Sequence, residues 1–163
     1  CGYLKDGKPV IGGNHRKEDR YFSPTLLIDV AWETKVMQEE IFGPVLPVVE
    51  YSGIDNAIAT VRRHSHPLAL YLFTKNSENE RKVIESLPFG GGCINDTLVH
   101  LGNPQLPFGG VGNSGMGRYH GKFTFDTFSH KKSVLKRGFF ADLKLRYPPY
   151  EGRLGLLKKF IGS

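Results

Sequence analysis

Between Val45 and Thr97 the sequence switches repeatedly between two hydrophobic periods, and this switching leaves few architectures open. Val45–Tyr51 (V-L-P-V-V-E-Y), Leu68–Thr74 (L-A-L-Y-L-F-T) and Gly91–Thr97 (G-G-C-I-N-D-T) are short apolar runs bounded by turn residues. Such runs read as buried strands. Between the first two, Ile54–His64 sets Ile54, Ala57, Ile58 and Val61 at helical spacing. Between the second and third, Ser77 with Glu80 three residues on has the form of a capping box, and Val83, Ile84 and Leu87 follow on one face. Strands alternating with amphipathic helices make β-α-β units with right-handed crossovers. The expected fold class is therefore α/β, built on a parallel sheet.

The flanks are less regular. Residues 1–20 are polar and turn-rich and read as a connecting segment. Tyr21–Val30 is apolar with Pro24 inside it, which predicts an edge strand. Lys131–Arg137 (K-K-S-V-L-K-R) has the pattern of a short basic strand at an exposed edge, and Arg153–Ile161 that of a small amphipathic helix. At 39% hydrophobic and 23% charged residues, the composition is that of an ordinary globular chain. No apolar run approaches the roughly eighteen residues a spanning helix needs. The net charge of +6 is spread over short pairs such as Arg62–Arg63 and Lys158–Lys159, so a solvated surface explains it better than nucleic-acid binding. Cys1 and Cys93 form no disulfide framework and favour a reducing compartment. Cys93, inside a strand, reads as a small core hydrophobe. The chain opens on Cys1 rather than Met, as a piece of a longer protein would.

Leu106–Gly121 (L-P-F-G-G-V-G-N-S-G-M-G-R-Y-H-G) holds six glycines in sixteen residues. That density suits neither helix nor strand, and Phe108, Tyr119 and His120 around it would suit the floor of a cleft as well as a plain surface loop. Gly110, Gly112 and Gly115 fit G-x-G-x-x-G, but that fingerprint needs a strand before it and a helix after it. Here Lys122–Phe128 (K-F-T-F-D-T-F) alternates aromatic with polar residues and reads as extended, so the dinucleotide interpretation is weak. Ser114 lacks the second glycine of a nucleophile elbow. The six histidines offer no i, i+4 pair for a metal. Glu39 and Glu40 are adjacent, so on extended backbone they point to opposite faces and cannot share a proton. Either both are solvated or one of them faces a ligand.

E-E-I-F-G-P-V at 39–45 and L-P-F-G-G-V-G-N-S-G-M-G at 106–117 together resemble the aldehyde dehydrogenase superfamily. R-Y-H-G-K-F-T-F-D-T-F-S-H-K-K at 118–132 and L-R-Y-P-P at 145–149 narrow the resemblance to its class 3 branch, which includes the fatty aldehyde dehydrogenases. The likeness runs over essentially the whole chain, in the family's order and spacing.

The resemblance implies oxidation of an aldehyde, medium- or long-chain aliphatic or aromatic, to a carboxylic acid with NAD or NADP. A cysteine thiolate attacks the aldehyde to form a thiohemiacetal, and a glutamate later activates water. Carried over by motif, Glu40 binds the nicotinamide ribose and Phe42 packs beside the nicotinamide. Phe108, Leu98 and His120 line the aldehyde tunnel. No catalytic residue falls in this chain: the family's nucleophilic cysteine and general-base glutamate belong upstream. Residues 1–130 correspond to part of a catalytic domain, and residues 131–163 to an oligomerisation strand and tail, with a homodimer forming through 131–137. The expected location is cytoplasmic, with weak peripheral membrane contact through 153–161. The alternative is a non-catalytic interaction module or pseudo-enzyme that pairs with a full-length subunit.

Overall fold

The computed structural model describes residues 2–140 and 146–161, without the side chains of Leu157, Phe160 and Ile161. Residues up to Thr127 form one compact unit, and those from Phe128 a second.

The first unit begins with a 3-10 turn, Gly2–Lys5, and a strand β1 (Lys8–Ile11). A two-residue ribbon follows, β2 (His15–Arg16) against β3 (Tyr21–Phe22). β4 (Thr25–Ile28) lies between β1, antiparallel, and β5 (Val45–Pro47), parallel. Two sequence expectations are corrected here. Residues 1–20 are not a mere connection, because β1 supplies a sheet edge. The 21–30 segment is not an edge strand: it breaks at Pro24, and its second half is the central strand. The prolines explain the arrangement. Pro9 and Pro47 lie on the two outer strands, where a missing N–H costs no ladder bond, and Pro24 stands before β4 rather than inside it. Alternation along β4 buries Thr25 and Leu27. Leu27 and Val36 are almost wholly buried and form a core with Val30, packed by Tyr3, Leu4, Met37, Ile41 and Val45.

The crossover from β4 to β5 carries α1 (Lys35–Gln38). Next come α2 (Ile54–Val61), β6 (Ala69–Leu72), α3 (Ser77–Ser86) and β7 (Gly91–Ile94). The expected β-α-β unit is present: β6 and β7 pair in parallel from Ala69↔Gly91 to Leu72↔Ile94, joined by α3. Parallel pairing does not run through one sheet, however. Among the described residues β5 pairs with β4, and β6 and β7 make a sheet of their own. Ile58, Val83 and Leu87 form the second core, against Leu70 and Leu72 of β6 and Phe89. The cap of α3 is also shifted by one residue. Asn76, not Ser77, is the N-cap, and its Oδ1 accepts from the amides of Glu78 and Asn79 at 2.8 and 3.2 Å.

Past β7, a 3-10 turn Val99–Gly102 leads to the glycine loop. Phe108 and Tyr119 exchange two backbone hydrogen bonds, 3.1 and 2.9 Å, which close the loop at its neck. α4 (Gly121–Thr127) then occupies the segment expected to be extended. Its alternation of aromatic and polar residues failed as a guide because Phe123 and Phe125 are both exposed, so no strand face is buried. Local bonds favour the helix instead. The Thr124 hydroxyl accepts the His120 amide at 2.9 Å, the Thr127 hydroxyl donates to the Arg118 carbonyl at 2.7 Å, and Lys122 pairs with Asp126 four residues on.

In the second unit, residues 128–138 carry neither helix nor paired strand, and the tail helix α5 spans Leu154–Ile161, close to its expected extent.

Candidate functional site

Two clusters of side chains have the character of a site. The first is the β4–β5 crossover. α1 stops because Glu39 adopts extended backbone (φ −117°, ψ 148°) after donating its amide to the Lys35 carbonyl. The extended step sends neighbouring side chains to opposite faces. Glu39 is exposed but tied at both oxygens: its Oε2 accepts the Tyr3 hydroxyl at 2.7 Å, and its Oε1 lies 3.6 Å from Lys35 Nζ. That hydrogen bond is the main reason the Tyr3 phenol titrates above its ordinary value; loss of solvent and the charges of Glu39 and Asp6 add to it. Asp6 fixes the same corner by accepting the Val36 amide at 2.8 Å. Glu40 is exposed and makes no hydrogen bond or ion pair to any described residue. Phe42, two residues on, is 92% exposed. One carboxylate is thus tied down, and the other stands free beside a bare aromatic ring.

The second cluster is the neck of the glycine loop. Phe108 meets Tyr119 edge-on at 5.5 Å between ring centroids, His120 at 6.4 Å and His100 at 6.0 Å. Tyr119 and His120 are 4.3 Å apart, and Tyr71 of β6 meets His100 at 5.7 Å. His120 Nδ1 is 2.9 Å from the Leu106 carbonyl oxygen. A carbonyl only accepts, so Nδ1 carries the hydrogen and donates it, and in the neutral ring Nε2 is left as an acceptor. Leu98 sits just before the Val99–Gly102 turn in left-handed conformation (φ 63°), with 61% of its surface exposed.

The sequence-predicted residues therefore fall in three places, Glu40 with Phe42 in the crossover, Phe108 with His120 at the loop neck, and Leu98 ahead of the Val99–Gly102 turn. The structure adds His100, which is buried beneath Phe108 and had no motif to single it out. It also corrects the expectation for Cys93. The thiol is only half-buried, and its Sγ lies 3.4 Å from His100 Nδ1, so it is more than an inert filler of the core. The G-x-G-x-x-G interpretation stays rejected despite α4, because no strand leads into Gly110. Among the described residues there is no group of three or more acidic, histidine or cysteine side chains that could hold a metal ion.

A mixed α/β layer whose crossover exposes a carboxylate, followed some sixty residues later in the chain by an aromatic-necked glycine loop, makes this a segment of an α/β protein. Residues 3–134 match the model of the aldehyde dehydrogenase family, and the chain belongs to that family. It is 50% identical over 152 residues to the 4,4'-diaponeurosporen-aldehyde dehydrogenase of Staphylococcus aureus, covering 93% of this chain and 33% of that protein. It is 49% identical over 154 residues to aldehyde dehydrogenase family 3 member B1 of Rattus norvegicus, again 93% of this chain and 33% of that protein. The substrate-bound state of Staphylococcus aureus AldH superimposes with a TM-score of 0.80 at 48% identity, over 96% of this chain and 35% of that one. A Mycobacterium tuberculosis aldehyde dehydrogenase complexed with NAD+ superimposes with a TM-score of 0.73 at 31% identity, over 86% of this chain and 29% of that one. The chain spans about a third of the length of these curated relatives.

Proposed function

We propose that this chain is the carboxy-terminal part of an NAD(P)+-dependent aldehyde dehydrogenase of the class 3 type, acting on medium- or long-chain aliphatic or aromatic aldehydes. The observation that carries this reading is the division of labour between two adjacent carboxylates. Glu39 is held by Tyr3 and Lys35, whereas Glu40 has no partner among the described residues. An ionised carboxylate offers two oxygens, which suits the vicinal hydroxyls of the nicotinamide ribose. The exposed Phe42 ring is free to pack beside the nicotinamide. The residues present therefore fit the cofactor, which when bound supplies the hydride acceptor. Phe108, Leu98 and His120 line the aldehyde path, with His120 Nε2 able to accept a hydrogen bond. The nucleophilic cysteine and the water-activating glutamate come from the part of the family fold outside these residues, so the 163-residue chain alone has no turnover. Residues 131–137 form the subunit contact, residues 153–161 make weak contact with membranes, and the protein is cytoplasmic.

The test compares Glu40→Gln with Glu39→Gln in the full-length parent. A hydrogen bond to a charged group contributes about 1.5–3 kcal/mol, so Glu40→Gln should slow hydride transfer in single turnover by roughly tenfold to a hundredfold. Holding the ring within reach matters more for the chemical step than for affinity, so kcat should fall more than NAD(P)+ binding weakens. Glu39→Gln keeps an acceptor for Tyr3 and should change the rate little. Equal effects from the two substitutions would mean that the wrong carboxylate has been assigned.

A further inference from the structure

We propose that Cys93 and His100 form a base-assisted thiol, a site of covalent modification by α,β-unsaturated aldehydes and related soft electrophiles. The choice of an aldehyde as the natural electrophile rests on the function proposed above; the dyad itself does not. Cys93 is half-buried on β7, and its Sγ lies 3.4 Å from His100 Nδ1. His100 is more than nine-tenths buried, and its other nitrogen, Nε2, is buried with no hydrogen-bond partner. Water or a nearby acceptor would normally satisfy such an atom, and leaving it bare is costly. The ring is held in place from three sides. Tyr71 meets it edge-on, Phe108 lies across it, and Gly91 approaches so closely that a Cβ there would sit 3.1 Å from Cδ2 and 3.4 Å from Nε2. A thiol, a base within reach and a third shell that orients the base are the parts of an activated nucleophile.

The chemistry balances without a further reagent. As Sγ bonds to the β-carbon of the enal, Nδ1 takes the thiol proton and the C=C pair moves toward the carbonyl as an enolate. Nδ1–H then returns that proton to the α-carbon. The net change is addition of S–H across the double bond, with no leaving group and no oxidation.

The experiment treats the 163-residue chain with acrolein, and separately with N-ethylmaleimide, and maps the adducts on Cys93 and Cys1 by peptide mass spectrometry. We expect acrolein to modify Cys93 faster than Cys1, and His100→Asn to slow that reaction about a hundredfold, the lower end of what a positioned general base contributes. Gly91→Ala, which shifts the ring without removing it, should slow it less. If His100→Asn does not fold, the pH profile of the wild-type chain decides. An unassisted thiol loses roughly tenfold in rate per pH unit below its titration; an assisted one falls less steeply from pH 8 to 6. Modification of Cys1 alone, or a Cys93 rate that is indifferent to His100 and falls tenfold per pH unit, would overturn the proposal. Maleimide addition that depends on His100, with no preference of acrolein for Cys93, would leave the dyad standing and remove the aldehyde as its electrophile.

Discussion

Gly110→Ala tests whether the glycine loop is held by close backbone approach or is merely slack. A Cβ at Gly110 would lie 2.2 Å from both the carbonyl carbon and oxygen of Ser114 and 2.5 Å from the amide nitrogen of Gly115. Those are backbone atoms, about 1–2 Å inside ordinary carbon contact distance, and no rotamer change relieves them. The backbone must move, and what it moves is bonded. Ser114 Oγ accepts the Val111 amide at 2.9 Å and donates to the Val111 carbonyl at 3.0 Å. Overpacking of this kind costs about 1–3 kcal/mol, and two weakened hydrogen bonds add about 1 kcal/mol each, so the loss should reach about 3 kcal/mol or more. For a chain of this size that lowers the melting temperature by about 6–12 °C. The assay is thermal unfolding followed by circular dichroism. Gly102→Ala is the control, because a Cβ there meets nothing within 4 Å. Its melting temperature should stay within about 2 °C of the parent or rise, since the substitution restricts only the unfolded chain. If the two variants melt together, the loop has room to spare and the close approach constrains nothing.

Three further outcomes are expected. Asn76→Ala should destabilise the chain by about 1 kcal/mol and Ser77→Ala by clearly less, measured by urea unfolding, because Asn76 holds the two free amides of α3; the reverse order would return the cap to Ser77. Phe108→Ala in the full-length parent should change the ranking of aliphatic against aromatic aldehydes in kcat/KM by about 1–3 kcal/mol, read across a chain-length series; an unaltered ranking would place the ring outside the aldehyde path. The 163-residue chain incubated with NAD+ and hexanal should produce no NADH above a heat-killed control, and any turnover would mean that the groups needed for aldehyde oxidation all lie within it.

The regular middle of the chain was legible because its periods are unmixed. Ile58 of α2, Val83 of α3 and Leu87 at the end of α3 pack together with Leu70 and Leu72 of β6, and hydrophobic spacing reports that geometry directly. The amino-terminal sheet was not legible. All four residues of β1 are exposed, so no burial pattern marks it, and it exists because β4 offers an antiparallel partner fifteen to twenty residues away. α4 was misread because the alternation of its phenylalanines mimics a strand, whereas threonine hydroxyls and one ion pair decide the local structure. Of the candidate site, Glu40, Phe42, Leu98, Phe108 and His120 are named by motif resemblance. That Glu39 is occupied by Tyr3 could not be read this way, because the partners are thirty-six positions apart. His100 shows the same limit: its burial comes from Tyr71 and Phe108, on either side of it in sequence, and neither spacing is a recognised pattern.

The crossover between Ile28 and Val45 is anchored at both ends by paired strands and packed only through α1 and its neighbours. Ladder bonds from Thr25 to the Pro44 carbonyl and from Val48 to the Leu27 carbonyl keep its two ends side by side, whatever happens between them. Lengthening such a connection is cheap, about 0.6 kcal/mol for a doubling. Insertions or deletions after Gln38 would therefore displace Glu40 and Phe42 while leaving β4 and β5 in register. The sheet acts as a fixed frame on which the reach of one carboxylate can drift, so that the position of Glu40 could be retuned by loop length without any change to the residues that make the fold.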